Sequence, residues 1–464
     1  MSRLSPRDLL WSPWPYLCLA AAAVAAGAFL APLATVALVG GAVAAAVLIW
    51  RFGPLHGLWY LVLLTIPLKE PLSFDIHGTV SVYPTDLLLL AVFAWSVSSV
   101  GLRDLWGRSR SFKIGVAIVA LSTVGLYTAT KLFWGVTSLY RLVMLLALFG
   151  AARVIITDRA EALRSLSAAV LSLVVPVVVG FYQAGQPFGS PLPDWGLVYT
   201  AYDAGGNPSH RAFSTLNHPL NFSHYLTIGF ALSLSLAATA RLAWRRVVFL
   251  GIAVASMACN LFTYSAGGLV GMLGAVAALI TLRRSGKLLA LVLAVLLVIA
   301  LVAPPALWNK VERLMTGRAL TTAARLVTYQ QAFMVISDHP LFGLGWGSIR
   351  TSLEGEYRLS RADPVAFTAE NYFLQRAVAL GLVGLALYLG LWVVFVSNVR
   401  ALGRARTANG GPDPLPTAMV VAAVAFLLQA QVIPATNVST NSVLWLIFAS
   451  AEALRDPLKR GRAA

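Results

Sequence analysis

The stretch YFLQRAVALGLVGLALYLGLWVVFVSN at residues 372–398 contains one charged side chain, Arg376, among 27 mostly apolar residues. An α-helix needs about 20 mostly apolar residues to cross the ~30 Å hydrocarbon core of a bilayer. In lipid, every backbone polar group must be satisfied inside the segment, which a helix achieves by itself. We therefore expect a membrane-spanning helix at 372–398.

Similar apolar stretches recur along the whole chain. They lie at 16–31, 33–50, 57–68, 84–101, 113–131, 136–156, 162–182, 218–240, 244–262, 265–282, 286–304, 415–433 and 440–454. The segment 57–68 is short for a span. The pattern predicts an all-α, polytopic integral membrane protein with about 12–14 transmembrane helices, organised as one transmembrane domain over residues 1–464.

The composition supports lipid as the solvent. Hydrophobic residues make up 58% of the chain, charged residues 11%, and the mean hydropathy is +0.77. Soluble domains carry roughly 25% charged residues, so soluble globular classes are excluded. The two cysteines, Cys18 and Cys259, lie inside apolar runs and exclude a secreted disulfide scaffold. The net charge of +17 is divided among short clusters, which argues against a nucleic-acid partner.

The positions of lysine and arginine predict the topology. With fourteen spans, the basic clusters in short loops all fall on one side, which the positive-inside rule assigns to the cytoplasm together with both termini. Two long loops, 183–217 and 305–371, then face the opposite side, the second between the eleventh and twelfth spans. Within 305–371, an apolar spacing of three and four residues predicts an amphipathic helix at 321–337. Long loops of this kind are usually functional.

Several polar residues border the apolar segments and are candidates for chemistry. Charged side chains such as Lys131, Arg141 and Arg376 are costly in a membrane, so each should face a cavity or a partner, or extend to the interface. Glu370 and Asn371 precede the span at 372–398. A carboxylate there is either a helix cap or a base that faces an outward cavity. The GLGWG segment at 343–347 predicts a tight turn. No metal site and no cofactor are expected from the sequence.

Four segments together resemble the O-antigen ligase and polysaccharide polymerase family. They are RAFSTLNHPLNFSHYL at 211–226, TYSAGGLVG at 263–271, ARLVTYQQAFMVISDHPLFGLGWGS at 324–348 and AENYFLQRAVALGLVG at 369–384. The resemblance covers about 210–398, and the order of the segments carries it. It implies a bacterial inner-membrane glycosyltransferase that uses glycans linked to undecaprenyl pyrophosphate at the periplasmic face. Neither a nucleotide nor a metal is implied.

The resemblance also implies roles for particular residues. Arg211 and Arg325 match the arginines that engage the pyrophosphate, and a guanidinium offers fork-shaped donors to phosphate oxygens. Glu370 would remove the proton of the acceptor hydroxyl, so these three residues form the predicted catalytic set. The predicted substrate-binding set contains Asn371, Tyr264, Tyr329, Arg141, Arg313, Arg318, His218 and Asn221.

Two departures from the family pattern affect the prediction. Ala266 stands where many members carry an arginine, so a phosphate contact is either missing or supplied by Arg141, Arg313 or Arg318. Glu370 stands where ligases carry a histidine, and a glutamate needs burial to become an effective base near neutral pH. This second difference favours a polymerase of O-antigen, capsule or exopolysaccharide over a ligase that transfers glycan to lipid A-core.

A secondary transporter or lipid-carrier flippase is the alternative from another class. Such proteins usually show internal repeats and ionisable residues near mid-membrane, and neither is evident in this sequence. The expected partners are therefore an undecaprenyl-pyrophosphate-linked glycan and membrane lipid, with room for other polysaccharide assembly proteins.

Overall fold

The computed structural model describes residues 32–68, 74–76, 80–185, 200–202, 208–216, 218–240, 242–283, 320–359, 368–404, 414–432, 434 and 437–458. In these residues the chain is helical apart from two short β-hairpins. The hairpins pair Phe74–Ile76 with Val80–Val82 and Thr200–Tyr202 with Pro208–His210, both antiparallel. The predicted all-α fold class is confirmed, with these hairpins as small additions in the connections.

The helices follow the apolar segments of the sequence closely. They are α1 (Pro32–Phe52), α2 (Pro54–Thr65), α3 (Pro84–Val100), α4 (Leu102–Arg108), α5 (Arg110–Val124), α6 (Leu132–Ile155), α7 (Arg159–Leu171), α8 (Val174–Ala184), α9 (Pro219–Thr239), α10 (Ala243–Leu261), α11 (Ala266–Arg283), α12 (Leu320–Asp338), α13 (Ile349–Glu354), α14 (Tyr372–Arg404), α15 (Pro414–Ala430) and α16 (Val438–Arg455). A 3₁₀ turn, Ile66–Leu68, extends α2.

Six helices within the described residues are long and apolar enough to cross a membrane. They are α6, the continuous pair α7 and α8, α9, α10, α11 and α14. The pair α3 and α4, bent by 85°, would make a seventh span, and α15 is a shorter apolar helix. The predicted spans at 16–31 and 286–304 lie outside the described residues. The polytopic membrane architecture is therefore confirmed.

Small residues allow the central helices to pack closely. Of the six long apolar helices, α9 is the most enclosed, with 89% of the residues in its most apolar stretch buried, and it packs against α10, α11 and α15. A Cβ atom on Gly271 would lie 2.7 Å from Thr227 Cγ2 and 2.8 Å from the Ala425 carbonyl oxygen. Only glycine fits at this crossing, and the lack of a side chain lets the two helices approach closely.

Helix α14 is broken at Gly381, which has a φ of 67°. The turn at 340–347 fills the break, because the Leu344 and Gly345 N–H groups donate to the carbonyls of Val378 and Ala379, both at 2.9 Å. Backbone groups that the break removes from the helix are thus satisfied by the turn. Gly345 has a φ of 76°, as the predicted tight turn requires.

Helix α12 agrees with the predicted helix at 321–337 within one residue at each end. It packs against α14 and buries Ala332 and Val335 completely. Leu326 and Phe333, on the face predicted to be apolar, are 60% and 61% exposed. The helix therefore offers apolar side chains to its surroundings, and its position at a membrane surface stays a prediction.

Candidate active site

Asn371 and Glu370 take different roles at the start of α14. The Asn371 side-chain oxygen accepts hydrogen bonds from the N–H groups of Phe373 (2.9 Å) and Leu374 (3.1 Å), so Asn371 caps the helix. Glu370 has a φ of 47°, a left-handed conformation that is strained for this residue type. The Thr368 hydroxyl donates to its carboxylate at 3.4 Å. Because Asn371 provides the cap, the Glu370 carboxylate remains for another function.

Burial raises the pKa of the Glu370 carboxyl above its ordinary value, while the Arg325 charge and the Thr368 hydrogen bond act in the opposite direction. The larger effect is desolvation, which disfavours the charged form. A carboxylate whose pKa moves toward neutral becomes a better match for general-base catalysis. The burial that the sequence analysis requires of this base is present, and it outweighs the opposing charge of Arg325.

Arg325 and Tyr329 lie one turn apart on α12, beside the start of α14. The Tyr329 hydroxyl and the Asn371 side-chain amide both donate to the Gln431 carbonyl, at 2.9 Å and 3.1 Å. Burial raises the pKa of Tyr329, with the Glu370 charge adding to the effect and Arg325 opposing it. These interactions place four predicted site residues, Glu370, Arg325, Tyr329 and Asn371, in one group.

Arg325 has a buried donor that no described residue satisfies. Its Nε atom is buried and has no hydrogen-bond partner among the residues that the structure describes. A buried donor on a charged side chain is costly when it stays unsatisfied. An anionic ligand at this position would supply the missing acceptor.

Arg211 lies in a second group, at the end of α10. Its Nε donates to the Thr263 carbonyl at 2.8 Å, and the Ala212 N–H donates to the Phe262 carbonyl at 2.9 Å. The segment that carries Arg211 is therefore hydrogen-bonded to the turn that contains Tyr264. Tyr264 has a φ of 50°, so a second predicted site residue has strained backbone geometry.

His218 and Asn221 begin α9 beside this group. His218 Nδ1 accepts a hydrogen bond from the Leu220 N–H at 3.1 Å and caps the helix. Burial, with help from the Arg211 charge, lowers the pKa of His218 to about 4. The imidazole is therefore neutral near pH 7 and is a weak base there. Asn221 lies half-buried in the first turn of α9.

The two groups adjoin the same end of α15. Gln429 Nε2 donates to the Ser223 hydroxyl at 3.0 Å, on the side of Arg211. Two residues later, the Gln431 carbonyl accepts from Tyr329 and Asn371, on the side of Glu370. The amides of the LLQAQ segment at 427–431 were not among the predicted site residues. The sequence feature that could have identified them is a pair of glutamines at the end of an apolar segment.

Arg141 lies apart from both groups, in a cavity of about 220 Å³. The cavity is lined by Trp134, Ser138, Arg141, Leu142, Leu145, Trp346, Ile349, Arg350, Gln375, Arg376, Val438 and Asn441. Arg141 and Arg376 thus face a cavity, as their cost in an apolar segment predicts. Gln375 joins this cavity to the first group, because its side-chain oxygen accepts from the Ala369 N–H at 2.7 Å.

Some predicted residues fall outside these groups. Arg313 and Arg318 lie outside the described residues, and Lys131 is exposed at the start of α6. Cys259 is fully buried, as predicted, whereas Cys18 is outside the described residues. In the described part of the chain, no three His, Cys, Asp or Glu side chains come close enough to hold a metal ion.

Comparison with known proteins identifies the central part of this site. Residues 251–389 match the model of the O-antigen ligase family, a range that contains Tyr264, Arg325, Tyr329, Glu370 and Asn371. Arg141 and Arg211 precede the matched range. No curated protein matches the chain. The match falls on most of the helices and turns that build the site, so this part of the chain is O-antigen ligase-like.

Proposed function

We propose that this protein polymerises oligosaccharide repeat units that are linked to undecaprenyl pyrophosphate, at the periplasmic face of a bacterial inner membrane. The observation that carries the proposal is the partly buried Glu370 carboxylate, whose pKa is raised, beside Arg325 in the family region. A lipid-linked glycan is the substrate class that the family implies. The polymer would be an O-antigen, a capsule or an exopolysaccharide.

The proposed reaction is one direct displacement at the anomeric carbon of the donor sugar. Glu370 accepts the proton of the acceptor hydroxyl as its oxygen forms a bond to that carbon. The bond from the carbon to the pyrophosphate oxygen breaks, and the pyrophosphate departs with the electron pair. A single displacement inverts the anomeric configuration. Glu370 then returns its proton to solvent, and no metal ion is required.

Arg325 and Arg211 would stabilise the departing pyrophosphate. Guanidinium groups remain charged and bind phosphate oxygens through two donors. Positioned charges at a group that becomes more negative in the transition state usually make a large contribution to catalysis. The buried Nε of Arg325, which lacks a partner among the described residues, supports this role. Tyr264, His218 and Asn221 would contact the glycan on the Arg211 side.

The helix ends support the proposed membrane orientation. Arg108 and Arg153 both bond to Asp456, next to Arg455. Arg455 in turn donates to Asn398 Oδ1 at 2.8 Å, near the end of α14 that is remote from Glu370. Basic residues concentrate on the cytoplasmic side of membrane proteins. We therefore place both termini in the cytoplasm. A reporter enzyme active only in the periplasm, fused after Ala464, should stay inactive, and an active fusion would contradict this orientation.

A ligase that transfers finished glycan to lipid A-core is the second candidate, because the matching family model is that of O-antigen ligase. Glycans from a deletion strain separate the two functions on one gel. A polymerase deletion leaves single repeat units, whereas a ligase deletion leaves long glycans on the lipid carrier. We expect single repeat units.

The same strain tests the site residues. Expression of Glu370→Gln, Arg325→Ala or Arg211→Ala should leave the glycans short, with normal amounts of membrane protein. Arg400→Gln, at an exposed position near the other end of α14, is the matched control and should restore full polymer. Full-length polymer from Glu370→Gln and Arg325→Ala would disprove the site assignment.

A further inference from the structure

Arg141 lines a cavity that is separate from the group around Glu370. Three arginines line it, Arg141, Arg350 and Arg376, and its remaining lining residues are amides, a serine, tryptophans and apolar residues. Arg350 forms an ion pair at 2.8 Å with Glu354, which is not one of the lining residues. The guanidiniums of Arg141 and Arg376 therefore leave about two positive charges in the cavity wall.

Arg376 is fixed in place before any ligand arrives. Its guanidinium carbon lies 4.5 Å from the ring centre of Tyr372, 4.9 Å from that of Tyr388 and 5.0 Å from that of Trp346. The side chain is only 5% exposed. Its Nε is buried without a hydrogen-bond partner among the described residues. The Tyr372 hydroxyl also interacts with this guanidinium, but Nε has no acceptor among the described residues, so an oxyanion fits this position.

The turn at 340–347 holds this arrangement together. Trp346 belongs to the turn that fills the break in α14, and the Lys131 N–H donates to the Gly347 carbonyl at 3.1 Å. The start of α6 is thereby attached to the same turn, and α6 carries Arg141. Arg141 and Arg376 come from different helices, and the turn fixes their separation.

The size and charge of the cavity select its ligand. A volume of about 220 Å³ is below the ~300–1,000 Å³ of sites that hold whole drug-sized ligands, so the cavity accepts one head group. A sugar carboxylate would neutralise one of the two arginine charges, whereas a diphosphate can neutralise both. Leu142, Leu145 and Val438 supply an apolar wall for the first part of a lipid chain.

We propose that the cavity formed by Arg141, Arg350 and Arg376 binds the diphosphate of a second polyprenyl-linked glycan, the acceptor. This inference rests on the proposed function, since in polymerisation both the donor and the acceptor carry a polyprenyl diphosphate. Arg325 and Arg211 hold the diphosphate of the donor near Glu370. The cavity, which Gln375 joins to the backbone next to Glu370, holds the other.

Equilibrium binding of farnesyl diphosphate to the full-length protein in detergent tests the proposal. The expected stoichiometry is two molecules for each chain. Arg141→Gln should weaken one of the two sites about tenfold or more, because a charge-assisted phosphate contact is lost, and leave the other site unchanged. Arg325→Gln should weaken the other site alone, and Arg400→Gln should weaken neither.

A second variant and a competing ligand test whether the cavity binds the diphosphate. Arg376→Gln should act like Arg141→Gln. Because Arg376 packs against three rings, Arg141→Gln decides the result if Arg376→Gln fails to fold. Sodium glucuronate should not displace farnesyl diphosphate from the site that Arg141→Gln weakens. Displacement there would overturn the diphosphate assignment in favour of an acidic sugar.

The proposal and the proposed function fail in different ways. One bound farnesyl diphosphate for each chain, insensitive to Arg141→Gln, would overturn the second site even if Glu370→Gln abolishes polymer in cells. Normal polymer from Glu370→Gln would overturn the proposed function. In that case, two diphosphate sites with the expected sensitivity would still support the assignment of the cavity.

Discussion

Tyr329 and Asn371 are held by one acceptor, because both side chains donate to the main-chain carbonyl of Gln431, at 2.9 Å and 3.1 Å. Tyr329 lies on α12 with Arg325, and Asn371 begins α14 next to Glu370. The end of α15 thus fixes the helix that carries the arginine relative to the turn that carries the carboxylate. Positioning of catalytic groups within a fraction of an ångström strongly affects rate, so this carbonyl is central to the site.

Replacing Asn371 should separate helix capping from positioning. Asn371→Ala removes both the cap and the donation to Gln431, so it should lower the free energy of unfolding by about 1 kcal/mol and reduce glycan transfer. Asn371→Ser keeps an N-cap oxygen and should restore most of the stability, but it should leave transfer about tenfold reduced, because the shorter side chain does not reach Gln431. Thermal unfolding and transfer assays on purified protein measure the two effects. Full activity of Asn371→Ser would show that the bond to Gln431 does not position the site.

The pH dependence of transfer should report the ionisation of Glu370. A general base acts in its deprotonated form, so the rate should be constant at higher pH and fall as pH drops through the raised pKa of this carboxyl. The Arg325 charge lowers that pKa, so Arg325→Gln should move the acid limb of the profile to higher pH. Glu370→Gln should remove the limb and reduce the rate by about 100-fold or more.

Transfer rates of purified protein between pH 4.5 and 8, measured in roughly half-unit steps, test this prediction. Arg400→Gln supplies the control, because an exposed arginine near the far end of α14 should leave the profile unchanged. An acid limb that stays in place in Arg325→Gln would mean that another group controls the rate.

Gly345 is predicted to be essential for the turn that fills the break in α14. A Cβ atom there would lie 2.3 Å from the Gly125 carbonyl oxygen, and the φ of 76° is unfavourable for any other L-residue. Gly345→Ala should therefore destabilise the protein by about 2 kcal/mol or more. Gly403→Ala, in α14, is the control, because a Cβ atom on Gly403 would meet no other atom within 4 Å. Replacing that helical glycine should maintain or raise the melting temperature. Equal melting temperatures for the two variants would disprove the role of the turn.

The apolar segments predicted most of the fold, because long hydrophobic runs have few structural solutions in lipid. Helix α12 was also predictable, since its apolar residues recur with helical spacing. The break at Gly381 was not, because it depends on hydrogen bonds from a turn about 35 residues earlier in the chain. The two hairpins are too short to produce an alternating pattern that stands out from a loop.

Part of the site was also predictable from the sequence. Glu370, Arg325, Tyr329 and Asn371 come from segments with recognisable motifs, and the structure brings them together. The separation of Arg141 from this group, and the joining role of Gln431, result from helix packing that no single segment encodes. Burial of Glu370 likewise depends on its neighbours in space, so its raised pKa could not be predicted from the sequence alone.

The charged cluster at the opposite end of the bundle is predicted to stabilise the fold without taking part in transfer. The buried Glu452 carboxylate accepts from the N–H groups of Arg110 (2.8 Å) and Ser111 (3.3 Å), and it lies within electrostatic range of the fully buried Arg153. Glu452→Gln removes the negative charge and leaves the arginine less compensated, so it should cost about 2–3 kcal/mol of stability. Arg164 is half-exposed and pairs with the buried Glu161, which keeps the hydrogen bond from the Tyr60 hydroxyl, so Arg164→Gln should cost less stability than Glu452→Gln. Thermal unfolding compares the variants, and transfer for each folded molecule of Glu452→Gln should equal that of the unmodified protein. A fall in that specific activity would show that the two ends of the bundle are coupled.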